Sequence, residues 1–203
     1  MSHSDVFDAV IESAKNGVTH NEALFDHPDD DFEPVLLIGR PDKALIVVGI
    51  ERDFFDSERS KDLLSDIIIP GACLQFDAAV ACMISSIWLV EAALDGTPLD
   101  ISIAPSQNPR RIEAVMVVAM SSERSEQWMA EIVRSDLPPV LKPWKLMFSE
   151  QGNVKVVGRM ADGLREGLRM AQEGREHPEE AAKVRRALEA TMPFQDITES
   201  RPL

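Results

Sequence analysis

The stretch Ile67–Ala93, IIIPGACLQFDAAVACMISSIWLVEAA, is the densest apolar run in the 203-residue chain and holds both cysteines, Cys73 and Cys82. Only thirteen residues, Ala78 to Val90, separate Asp77 from Glu91, and Ser85 and Ser86 interrupt them. A membrane-spanning helix needs about 20 predominantly apolar residues, so the run marks the interior of a folded domain. Richness in Val, Ile and Trp, together with the lack of a polar side, favours a strand over residues 79–91; the alanines favour a helix, and both readings stay open.

Outward from this run, PVLLIGRPDKALIVVGIE carries two short β-prone segments, Val35–Ile38 and Ala44–Ile50. Gly39, Pro41 and Asp42 between them suit a tight reversal. The period then changes: Phe55, Leu63, Leu64, Ile67 and Ile68 gather on one side of a helix over 57–69, and Pro70-Gly71 is expected to end it. RRIEAVMVVAM reads as a largely buried strand. SERSEQWMAEIVRSD is ambiguous, because Trp128 and Ile132 fit either a helix face or a strand alternation. KLMFSEQGNVKVVGR has the shape of two short strands around Gln151–Asn153.

The ends read as helical. A first helix runs over residues 5–16, with Val6, Phe7, Val10, Ile11 and Ala14 on one side. The C-terminal helices span 159–190, with Pro178 in a favourable first-turn position. The fold class is therefore α+β, a mainly antiparallel sheet flanked by helices, with a C-terminal helical segment. Residues 1–34 form an acidic helix and linker and 35–158 the core domain. Residues 159–192 are helices laid on the core or on a second subunit, and 193–203 a flexible tail. Gly163 and Gly167 are costly inside an exposed helix: either they permit a close crossing, or the first C-terminal helix is marginal.

Composition bounds the function. Hydrophobic residues make up 44% and charged residues 28%, as in ordinary globular proteins, and 21 Lys plus Arg against 35 Asp plus Glu leave a formal charge of -14. Nine acids and one base, Lys15, fall in the first 34 residues. Such a surface repels phosphate backbones, so direct nucleic-acid binding is not expected, while encounter with a basic partner is favoured. The acidic start MSHSDVFDAV is unlike a signal sequence, and two cysteines do not make a disulfide scaffold; a cytoplasmic setting is expected. The span Arg159–Glu189 carries seven bases and seven acids, a neutrality that suits helix packing or homo-oligomerisation.

Residues 54–135 carry FDAAVACMISSIWLVEA, with Asp77, Ala78, Trp88 and Glu91, and PSQNPRRIEAV, with Pro105, Ser106, Pro109, Arg111 and Glu113. These resemble segments of an uncharacterised group of phage and bacterial proteins, although Ser86-Ile87-Trp88 replaces the acidic neighbour found in that group's first motif. The resemblance implies antiparallel β topology and a phage association, and assigns no chemistry.

No phosphate-binding glycine loop, zinc-protease helix motif or hydrolase elbow is present, and no cofactor is implied. The carboxylate and arginine candidates are Glu91, Arg111 and Glu113. In extended chain Arg111 and Glu113 face one side, where Glu91 on a neighbouring strand would complete a polar patch; an ion-pair network is the favoured role, with partner recognition and catalysis behind it. The metal candidates are His20, His27, Asp29 and Asp31, close to Asp26 and Asp30, although the segment lacks the calcium-loop pattern. Cys73 and Cys82 read as apolar filler. The functional expectation is an acidic accessory or protein-interaction factor; the alternative is an enzyme, conceivably a metal-assisted hydrolase, using the carboxylate and arginine site.

Overall fold

The computed structural model describes residues 3–20, 34–90, 107–108, 110–134, 139–149, 158–191 and 201–202. An antiparallel sheet lies between two helical layers, the α+β arrangement expected from sequence. Helix α1 (His3–Thr19) precedes the hairpin β1 (Val35–Gly39) and β2 (Ala44–Gly49). A 3-10 turn and helix α2 (Glu58–Leu63) follow, then a π-helical turn Leu64–Ile68 and helix α3 (Ile69–Gln75). The long strands are β3 (Val80–Val90), β4 (Arg111–Ser121) and β5 (Ser125–Val133), followed by the short β6 (Val140–Leu141) and β7 (Lys145–Ser149). Helices α4 (Arg159–Glu176) and α5 (Pro178–Thr191) and a two-residue strand β8 (Arg201–Pro202) complete the order.

The strands run in the order β6-β5-β4-β3-β1-β2-β8, with β7 also paired to β5. The ambiguous run is thus β3, the middle of the sheet, with β4 on one side and β1 on the other. A central strand must be apolar on both faces, which is why no polar side shows in its sequence. Even-numbered β3 residues such as Val80, Cys82 and Ile84 join the core beneath α1, whose Val6, Phe7, Val10, Ile11, Ala14 and Val18 are buried at helical spacing. Ala81 and Met83 face the other way, into a second core built with Leu64, Ile69 and Cys73 and with Leu164 and Ala171 of α4. The segment 122–134, open between helix and strand, is strand β5; its alternation wins because β4 supplies a ladder partner from Ala114 to Met120.

One expectation needs correction. The helix begun at residue 58 does not stop at Pro70-Gly71 but continues to Gln75. The π turn, in which the Ile69 N–H reaches the Leu64 carbonyl, widens the helix by one residue. Pro70 thereby falls in the first turn of α3, where its missing N–H costs little. The ending comes at Asp77, in left-handed conformation at φ 55°, with Ala78 N–H on the Cys73 carbonyl at 2.9 Å, the Schellman closure. In the expected C-terminal tail, Arg201 and Pro202 pair with Leu45 and Ala44 of β2.

Helix α4 lies against the π turn and α3. A β-carbon at Gly163 would sit 2.5 Å from the Ser65 carbonyl oxygen, and one at Gly167 would sit 2.7 Å from Cys73 Sγ. The two glycines therefore set how closely the helices meet. Arg175 of α4 donates to Asp77 and to the Ala78 carbonyl, and Arg185 of α5 donates to the Leu74 carbonyl at 2.9 Å. Two guanidinium groups thus meet the carbonyl end of α3, where the helix dipole favours cations. No helix among the described residues is long and apolar enough to cross a membrane.

Candidate functional site

Beyond the last turn of α1, the same sheet face carries charge instead of aliphatic side chains. Trp88 on β3 stands opposite Glu113 on β4, and Val90 opposite Arg111. The Arg111 guanidinium carbon lies 4.8 Å from the Trp88 ring centroid, a cation-π contact. Arg111 and Glu113 share a face, as the i, i+2 spacing predicts, and Glu91 lies outside the described residues. The carboxylate of Glu113, only 8% exposed, is held by Arg134: Nε donates to Oε2 at 2.6 Å and Nη2 to Oε1 at 2.5 Å. One guanidinium grips both oxygens of this carboxylate, and the geometry is that of a positioned ion pair. Sequence spacing does not point to Arg134, which follows the last residue of β5; the one signal for it is that a carboxylate on a buried strand needs a cation.

A second polar chain joins α1 to the β4–β5 hairpin. Arg124 donates to Asp8 of α1 at 2.7 Å and to Glu126 at 2.6 Å, while its guanidinium covers the Phe7 ring at 4.6 Å. The buried Glu126 also accepts the Trp128 indole N–H at 2.8 Å, and Lys15 Nζ sits 3.3 Å from the centroid of a Trp128 ring. Every member is paired, so this network fixes the seat of α1 on the sheet. Reading 125–133 as a strand places Glu126 and Trp128 on one side, the signal that the helix alternative conceals.

The metal candidates do not assemble among the described residues. His20 is exposed at the end of α1, its Nδ1 2.9 Å from the Asn16 carbonyl, whereas His27, Asp29 and Asp31 fall in the segment 21–33, outside the described residues. No group of three His, Cys, Asp or Glu residues able to hold a metal ion occurs among those described. Cys73 and Cys82 are both buried, in the two different cores, and burial pushes both thiols up to about 12.

The sheet margin formed by β6 and β7 has a different character. Among the described residues β7 pairs only with β5, and Val140, Leu146 and Met147 are 51%, 47% and 53% exposed. The register shifts at Gln127/Trp128, which leaves Met147 as the extra residue of a β-bulge. Apolar side chains on a sheet margin offer both ladder groups and greasy surface to another chain. No family model, curated protein or solved structure matches the chain, and the β6–β7 margin and the Glu113–Arg134 patch are read from their own chemistry.

Proposed function

We propose that the protein is an acidic interaction factor that receives a short, extended, basic segment of a partner protein along the β6–β7 margin. The observation that carries this reading is the half-exposure of Val140, Leu146 and Met147 on a strand margin of a chain whose formal charge is -14. Strand addition draws affinity from main-chain hydrogen bonds and specificity from alternate side chains, and a strongly acidic molecule accelerates the approach of a basic chain. The same charge opposes pairing of two copies, and the bulge at Met147 interrupts the regular ladder that two identical margins would need. A basic partner therefore fits this margin better than a second copy does.

The test is a set of immobilised peptides of one length in which apolar residues alternate with Lys, with Glu or with Ser. The Lys series is expected to bind, to weaken as salt rises, and to lose affinity with Leu146→Asp or Met147→Asp while melting temperature holds. Equal binding of all three series, or binding unchanged by both substitutions, would sink the reading. Sedimentation showing a stable dimer that the same substitutions dissolve would assign the margin to self-association instead.

A further inference from the structure

On the face of the sheet opposite α1, a cleft of about 340 Å³ separates the β4–β5 turn from α4, within the range of about 300–1,000 Å³ usual for small-molecule sites. Its apolar wall is Met120 and Leu168, and Ser121, Ser122 and Ser125 bring hydroxyls from the turn. Arg165 and Arg169, one helical turn apart on α4, line the opposite side with Gln172. Arg124 also borders the cleft, but its guanidinium is committed to Asp8 and Glu126.

The charges along α4 are unevenly distributed about this cleft. Arg165 donates to Asp162 at 2.7 Å, and Arg169 donates to Glu166 through Nε and Nη2 and to Glu173 through Nη1. None of these three carboxylates borders the cleft, whose single acidic lining residue is Glu123. The carboxylates are 68%, 46% and 54% exposed, and ion pairs so open to water are weak enough for a competing anion to share the guanidinium groups. Planar N–H forks match the oxygens of carboxylate and phosphate. An otherwise acidic molecule thus holds a cleft with two arginines, a hydroxyl-bearing turn and an apolar wall.

We propose that this cleft binds a small molecule bearing an oxyanion, a carboxylate or a phosphate monoester with a short apolar substituent, the anion on Arg165 and Arg169 and the substituent against Met120 and Leu168. This site lies on the other sheet face from the Glu113–Arg134 pair and does not depend on the β6–β7 reading.

The experiment uses the isotope-labelled full chain, titrated at constant ionic strength with butyl phosphate, pentanoate, inorganic phosphate and butanol while backbone amides and arginine Nε–H groups are followed by NMR. Butyl phosphate or pentanoate is expected to give saturable shifts at residues 121–125 and at Arg165 and Arg169, with butanol giving none; the tighter of the two identifies the anion. Arg165→Gln is expected to weaken binding about tenfold, the scale of one lost charge-assisted hydrogen bond. Arg165→Lys, which keeps the charge and loses the fork, is expected to fall between, and it serves alone if the glutamine variant does not fold. Shifts that stay linear, that sodium chloride reproduces, or that persist unchanged in the folded arginine variants would overturn the proposal.

Discussion

The carbonyl oxygen of Ser65 lies where it would be 2.5 Å from a β-carbon on Gly163. Lacking an N–H, Pro70 cannot donate back to the π turn, and the turn presents its Ser65 backbone to α4, where only a glycine admits it. Gly163→Ala is expected to destabilise the protein by about 1–3 kcal/mol, the usual cost of overpacking, because the obstacle is backbone and cannot swing aside. Gly17, in α1, has nothing within 4 Å of its would-be β-carbon, and Gly17→Ala should stabilise by about 0.5–1 kcal/mol. Urea unfolding of the two variants checks both signs; equal effects would refute the close-approach account.

Removing Arg134 would leave the Glu113 carboxylate buried without its cation. Arg134→Met should cost about 3 kcal/mol, as for other broken buried pairs, and the double variant Glu113→Gln with Arg134→Met should recover part of that loss. A double variant no more stable than the single one, measured by denaturant midpoint, would show that the pair is not what matters there.

The thiols should be silent in the native protein. Cys73 and Cys82 are held up at about 12 by burial, against an ordinary value of 9.0, so thiolate is scarce near neutrality and reagent access requires opening. An aromatic disulfide reagent is expected to label neither residue in buffer and both in denaturant. The unfolded chain gives up these protons near 9 while the folded one keeps them, so the stability this confers is present below that pH and declines as pH rises from 9 toward 12. Rapid native labelling would contradict both statements.

Glu58 ties the start of α2 to α4. Hydrogen bonds from Lys61 and then from Arg159, with the nearby positive charges, hold its carboxyl down at about 2 from 4.5. Its stabilising contribution is therefore present above 4.5 and is lost as pH falls toward 2. A carboxyl-carbon NMR titration should place its midpoint near 2, and Arg159→Gln should move that midpoint upward; an unmoved midpoint would remove Arg159 from the account.

How far these features can be foreseen varies with the physics that produces them. The hairpin at Gly39–Asp42 is legible because its turn chemistry is local, whereas β3 is only half legible: an apolar character on both faces suits a central strand, but the alanines suit a buried helix as well. Strand β5 is not legible, since Trp128 and Ile132 satisfy periods of 2 and of 3.6 alike and only the β4 partner decides between them. Continuation through Pro70 is hidden because proline normally terminates a helix, and the compensation is a π turn that no single residue announces. At the candidate sites the shared face of Arg111 and Glu113 follows from spacing, whereas the Arg134 grip and the cleft over α4 join residues 21 to about 50 positions apart. Tertiary geometry alone brings those together.

Helix α1 covers the Leu37, Cys82 and Val117 face of the sheet through side chains drawn from the first 18 residues of the chain. Translation begun downstream of Thr19 would therefore yield a half-dressed sheet, its oily surface bare to water, and such a fragment should precipitate. Seventeen residues at the front of the chain act as an indispensable roof.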